Sequence, residues 1–450
     1  MKPLNIRVLL SVLIVLAIAP LNAGAQDLSR LGGDLTSDMP LFAALELPAP
    51  NITSHERFLD HIAGHSDFHG SFEFFKKNGQ SVLGPLFNHN ACGACHVKDG
   101  RGALNFRRSP EGSAMLIKVA LKGLNADGSP RPIPGIGEQL RDHTINGRTK
   151  FNISLRWQKI QGRYPDGAAY NLRKPILKFK VPHYQQEKIA FSLRMTPPTI
   201  GMGLLEAVPE AAIQALADPS DTNRDGISGR AQFVPNHESG QFALGRFGFR
   251  ASHPTVKQQS AAAFFNDMGM TNEIFSDSPG VEPEVDPATM ARVVLYQQVA
   301  GVTPSRDQEK PIVRRGKQLF QAINCHGCHT LTLRTEASTV PELANQEFHP
   351  FTDLLLHNMG QDLSDKRAEF QASGHEWRTT PLWGIGLTEF LISSANGNRP
   401  PRVGFLHDGR ARTLEEAILW HGGEARRSRN AFKNLDAADR AKVIAFLQSL

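Results

Sequence analysis

The chain has four cysteines, and all four fall in two Cys-x-x-Cys-His boxes: Cys92-Gly93-Ala94-Cys95-His96 and Cys325-His326-Gly327-Cys328-His329. Each box reads as an attachment site for c-type haem. Two thiols bond the vinyl groups of the macrocycle, and the adjoining histidine offers its imidazole to the iron. The sixth iron position is left for the fold to fill or leave open. A single zinc site made from these thiols would need pairs far closer than the roughly 230 residues that separate them. Two thioredoxin-type disulfides give no reason for a histidine at the same offset twice. Two covalently bound haems predict electron transfer, redox catalysis or both.

Residues 1–25 read as a secretory signal peptide. Lys2 and Arg7 form its charged region, Leu9 to Leu21 is apolar but too short to span a bilayer, and Ala23-Gly24-Ala25 fits the cleavage rule. A mature chain from Gln26 and a periplasmic location are expected, matching the compartment in which c-type haem is assembled. No cysteine follows the cleavage site to carry a lipid anchor, and no later run is long and apolar enough for a membrane span. The formal charge of +6 falls to +4 when Lys2 and Arg7 leave. The ionised propionates of two haems then bring the molecule close to neutral. The basic residues are scattered without interleaved aromatics, which argues against a nucleic-acid partner.

The fold class expected is mainly α, with two cytochrome c-like haem domains at 26–283 and 284–450. In the second, Met290 to Tyr296 and Val313 to Ile323 read as helices, the latter delivering Cys325. The closing helix buries Val443, Phe446, Leu447 and Leu450 and takes Asp436 as its N-cap. The first unit is too long for a minimal cytochrome. Its stretch 103–250 is rich in Pro, Gly and short apolar runs and reads as a loop-rich, partly β insertion over the first haem.

The segments Leu83 to Asn88, Gly245-Arg246-Phe247-Gly248-Phe249, Asp353 to Gly360, Trp377 to Gly384, Leu406-His407-Asp408-Gly409-Arg410-Ala411-Arg412 and Trp420-His421-Gly422-Gly423-Glu424-Ala425 surround the two boxes. Together they resemble the di-haem oxidoreductase, putative peroxidase family, also described as thiol oxidoreductase-like. That family is similar to the bacterial di-haem cytochrome c peroxidases. The resemblance implies that the His96 haem reduces hydrogen peroxide while the His329 haem collects electrons. The donor would be a small soluble protein, a cytochrome c or a cupredoxin.

In those peroxidases a His-Asp-Gly motif lies fourteen residues before a methionine that is the distal ligand of the second haem. Here the residue fourteen after His407 is His421. Thr413 and Glu416 open a short helix, and Gly422-Gly423 stops it just after His421. Met359 is the alternative ligand. For the first haem, an open position, His143, or one of His61, His65 and His69 remain. The last three recur every four residues and would share a helical face as a metal site, a haem contact or a solvated surface. In the relatives a Glu-Met-Gly segment ten residues after a glutamine supplies the acid–base carboxylate. The counterpart here is Gln259 followed eight residues on by Asp267-Met268-Gly269. An inter-haem tryptophan could be Trp157, Trp377, Trp383 or Trp420.

Asp221-Thr222-Asn223-Arg224-Asp225-Gly226-Ile227 matches the first half of an EF-hand loop, with Asp221, Asn223, Asp225 and the Ile227 carbonyl as possible calcium ligands. Gln232 stands where that loop needs a bidentate glutamate, so an Asx-turn series without an ion is the competing reading. The function expected is peroxide reduction. The alternatives are a di-haem electron carrier without peroxidase activity, and a haem-dependent oxidase of a thiol or protein substrate.

Overall fold

Helix occupies 33% and strand 20% of the chain in the computed structural model, so sheet takes a larger share than a mainly α fold predicts. The structure describes residues 28–38, 45–74, 76–77, 80–104, 114–145, 147–149, 151–276, 281–396 and 403–450. The segment read as a signal peptide lies outside the described residues. No helix among them is long and apolar enough to cross a membrane.

Helix α1 (His55–His69) starts at Ser54, whose hydroxyl accepts the Arg57 N–H, and buries His61, Gly64 and Phe68. The three histidines therefore do share a helical face. The single turn α2 (Cys92–Cys95) carries both thiols of the first box and ends on His96.

Between this box and residue 195 lie four long strands, β1 (Met115–Leu124), β2 (Ser154–Arg163), β3 (Ala169–Lys178) and β4 (Ile189–Met195). β1 and β4 pair antiparallel from Met115↔Met195 to Leu121↔Ile189. Their buried residues Ile117, Val119, Leu193 and Met195 share one core with Cys95 and Leu104, so the β insertion seals one side of the first box. β2 and β3 form a hairpin closed by a turn at Tyr164-Pro165-Asp166-Gly167. Proline presets the turn and the Gly167 N–H donates to Tyr164 O at 3.0 Å. The hairpin tip reaches far along the chain: Tyr164 donates to Glu415 and Arg440 to Asp166, both at 2.6 Å.

After two short helices, Met202–Ala207 and Glu210–Gln214, come three longer ones, α3 (Val256–Asp267), α4 (Pro287–Gln298) and α5 (Pro311–Ala322). α4 opens with Asp286 capping Thr289 N–H at 2.9 Å and Pro287 at the first helical position. It lies after residue 283, yet Met290, Val293 and Tyr296 pack with Phe68 of α1 and Phe264 of α3. α1 and α4 cross closely: a Cβ on Gly64 would stand 2.2 Å from Arg292 O.

The short strands β5 (Leu356–Asn358) and β6 (Glu376–Arg378) pair antiparallel. Helices α6 (Leu414–Trp420), α7 (Arg426–Asn434) and α8 (Ala437–Ser449) close the chain. Asp436 caps α8 through Asp439 N–H at 2.7 Å, and Val443, Phe446, Leu447 and Leu450 are buried, as the periodicity predicts. α8 packs on α5 at Gly316, where an added Cβ would meet Lys442 O at 2.0 Å. The same core takes in Leu28, Leu31 and Leu35. That early segment is tied to the later chain by Ser37 N–H to Val302 O at 2.9 Å and His349 N–H to Leu31 O at 2.7 Å.

Candidate functional site

Each Cys-x-x-Cys-His box opens on its own cavity. The first, about 450 Å³, is lined by Cys92, Cys95 and His96 together with Met195, Gln259 and Phe264. His96 donates from Nδ1 to Pro197 O at 2.8 Å, which fixes the tautomer and leaves Nε2 as the unprotonated nitrogen. The second, about 200 Å³, is lined by Cys325, Cys328, His329, Met359, His407 and His421. His329 donates from Nδ1 to Phe351 O at 2.9 Å, and His421 from Nδ1 to Ala417 O at 2.7 Å. Two imidazoles on one cavity thus have their Nδ1 protons engaged and Nε2 left over. Burial lowers the pKa of all three histidines, His329 to about 4, so each is neutral, the form that binds a metal.

His421 is placed as the capping signals predict. Thr413 Oγ1 accepts the Glu416 N–H at 3.1 Å, α6 runs to Trp420, and His421 terminates it. The Glu416 carboxylate reaches back to Arg412 N–H at 2.8 Å, one residue before the expected partner. His407 of the His407-Asp408-Gly409-Arg410 motif lines the same cavity. Asp408 is clasped by Arg410 (Nη2 at 2.7 Å), and His407 stacks on Trp377 with ring centroids 3.6 Å apart.

The donor sets fit a haem in each cavity. A thiol pair and a carbonyl-oriented imidazole stand together, and cations line both cavities, as anionic propionates require: Lys118, with Arg194 and Arg367 that also bind Glu369, on the first, Arg101 on the second, and Arg378 on both. The family described as di-haem oxidoreductase, putative peroxidase, matches residues 38–280 and 277–450.

The chain belongs to the di-haem oxidoreductase family. Among solved structures, it is similar to a Kuenenia stuttgartiensis hydrazine synthase pressurized with xenon. That match has 12% identity, a TM-score of 0.38, and covers 99% of this chain and 100% of that one. It is also similar to a diheme peroxidase from Burkholderia thailandensis, with 18% identity, a TM-score of 0.29, and 49% of this chain against 68% of that one. No curated protein matches the sequence.

Within this di-haem oxidoreductase, Gln259 and Asp267 both lie on α3 and both line the first cavity. Gln259 Oε1 is buried without a hydrogen-bond partner. Asp267 is held by Gln139 Nε2 at 2.7 Å. His143 is outside the cavity lining; it stacks on Phe87 and faces Asp142 at 3.0 Å. Trp383 lines the first cavity and Trp377 the second. Trp420 is buried under Arg410, and Trp157 sits on the hairpin under Arg173.

The Asp221 loop folds through its own side chains: Gly226 N–H donates to Asp221 Oδ1 at 3.1 Å, Asp225 N–H to Asn223 Oδ1 at 2.9 Å, and Ile227 N–H to Asp225 Oδ1 at 2.8 Å. Arg427 donates to Asp225 O at 2.6 Å, and Ile227 lines the second cavity. Gln232 points elsewhere, donating to Arg250 O at 2.6 Å.

Two features are invisible in the sequence. His253 lines the first cavity, its Nδ1 is buried without a partner, and burial lowers its pKa to about 4. Its only sequence signal is its place just after the Gly245–Phe249 segment. Beside it Glu369 accepts from Arg194 Nη2 and Ser252 Oγ, both at 2.7 Å, and from Arg367. Arg194 and the fully buried Arg250 lie over Trp377, at 4.7 and 4.2 Å from its centroid. A continuous set of side chains therefore runs from the first cavity to the second.

Proposed function

We propose that this chain is a periplasmic enzyme with two c-type haems, held by Cys92, Cys95 and His96 and by Cys325, Cys328 and His329. In this reading it reduces hydrogen peroxide in the first cavity. The observation that carries the reading is the difference between the cavities. The second sets His421 beside His329, both oriented by backbone carbonyls, which suits a closed electron-transfer centre. The first is larger and presents unpartnered polar atoms, Gln259 Oε1 and His253 Nδ1, in place of a second carbonyl-oriented imidazole.

When bound, haem iron supplies one-electron chemistry in both cavities and a coordination position for peroxide in the first. The surrounding residues do the rest. Gln259 orients the peroxide, and His253 or Asp267 moves a proton from the near to the far oxygen, which makes the departing oxygen a better leaving group. Each turnover takes two electrons and two protons and yields two waters. Electrons enter from a small soluble donor, a cytochrome c or cupredoxin, and pass by way of Trp377 and the Arg194–Arg250 cluster. Reductively activated protein is expected to consume peroxide at the expense of reduced cytochrome c; no turnover would sink the proposal.

His253 favours a second reading. If its free nitrogen ligates the first iron, both centres are closed and the protein is an electron carrier. Electron paramagnetic resonance separates the two, since a high-spin ferric signal in the oxidised or half-reduced protein requires an open position.

A further inference from the structure

The histidine face of α1 does not meet either cavity. It meets two carboxylates. Glu46, His65 and His69 each bring a ligand atom within 4.8 Å of the others. His69 Nε2 stands 3.1 Å from Asp99 Oδ1 and 3.9 Å from Glu46 Oε1, and the His65 and His69 rings lie 4.5 Å apart. Asp99 is 1% exposed, and its Oδ1 is ion-paired with His69. Its other oxygen accepts the Tyr296 hydroxyl from α4. The same His69 Nε2 stands 3.4 Å from the Tyr296 hydroxyl, so carboxylate, phenol and imidazole converge beside Glu46 and His65.

We propose that Glu46, His65, His69 and Asp99 form a binding site for a divalent transition-metal ion of the zinc class. The ligand atoms of Glu46, His65 and His69 all lie within 4.8 Å of one another, with Asp99 on the His69 side; ligands at about 2.0–2.1 Å in a tetrahedron stand about 3.3 Å apart, close to the 3.1 and 3.9 Å separations around His69. Two imidazoles and two carboxylates are a mixed nitrogen and oxygen set, which suits zinc. Calcium and magnesium call for oxygen alone. Lys98 Nζ, 3.7 Å from Glu46 Oε2, leaves Oε1 to the metal. Tyr296 orients Asp99 from behind, the outer-shell hydrogen bond such sites use. Glu46 and His69 keep 20% and 22% of their side-chain surface in solvent, so an ion has a way in. The ion would pin α1 and the segment around Glu46 to the turn that carries His96, because Asp99 N–H donates to His96 O at 3.1 Å.

The test uses the full holoprotein, stripped with a chelator and titrated with zinc chloride by calorimetry, with elemental analysis of the dialysed product. One equivalent of zinc is expected. The double variant His65→Ala/His69→Ala should bind at least about 100-fold more weakly, and Tyr296→Phe about 10- to 100-fold more weakly. Should the double variant not fold, Glu46→Gln on the solvent side serves in its place. Asp221→Asn/Asp225→Asn should leave the stoichiometry unchanged. No saturable zinc binding by the parent protein overturns the proposal. So does equal binding by the ligand variants, or loss of binding in the Asp221/Asp225 variant.

Discussion

His421 lines the second cavity with its Nδ1 proton already engaged by Ala417 O, so its free Nε2 is the natural partner of a metal, and Met359, in the same lining, is its competitor. Thioether ligation raises a haem potential relative to a second imidazole. His421→Met should therefore raise one midpoint potential by on the order of 0.1 V, well inside the ~0.8 V range that axial ligands span. A potentiometric titration decides it, and two unchanged midpoints would remove His421 from the iron. In the first cavity, Gln259→Ala and His253→Ala should each lower kcat/KM for peroxide by about 10²- to 10⁴-fold, the usual weight of a positioned acid–base group. Haem content should hold in both variants. If His253 is instead an axial ligand, its loss will create a high-spin signal and raise peroxide turnover. The sequence pointed to His421 because its signals are local: a motif, a capping box and a glycine stop. It was silent on His253, whose position depends on contacts with distant segments.

The helices were legible for the same reason. α8 keeps its buried face, and α6 and α8 keep the caps predicted for them, all set within a turn or two of sequence. The sheet was legible only as a β tendency, since the β1–β4 pairing joins Met115 to Met195 across a long excursion. Packing of α4 onto α1 could not be read at all, because it depends on the matching surface of another helix. That crossing tolerates no side chain at residue 64, where a Cβ would lie 2.2 Å from Arg292 O. Gly64→Ala should cost about 1–3 kcal/mol through forced separation of the helices. A lower denaturant midpoint with an unchanged slope is the expected result. An unchanged midpoint would show that α1 and α4 stand farther apart.

Over the whole molecule, buried charge joins the two cavities. Burial alone would raise the pKa of Glu369, but Arg194, Arg367 and Arg250, with the Ser252 hydroxyl, hold it well below the ordinary carboxylate range. A folded value below the unfolded one means this stabilisation is complete above about pH 4.3 and is lost as pH falls towards the folded value. Glu369→Gln should cost about 3–5 kcal/mol at neutral pH by stranding the arginines. It should also flatten the loss of stability with acid. A variant that loses stability on acidification as steeply as the parent would show that other carboxylates govern it. The early segment at Leu28, Leu31 and Leu35 has a different kind of consequence. Its partners lie some three hundred residues downstream, around Val302 and His349. A loop that long must close before this part of the core exists, and closure of distant contacts slows folding. During folding this early stretch is thus among the last to find its place. Until then its leucines are open to whatever chaperone escorts the chain.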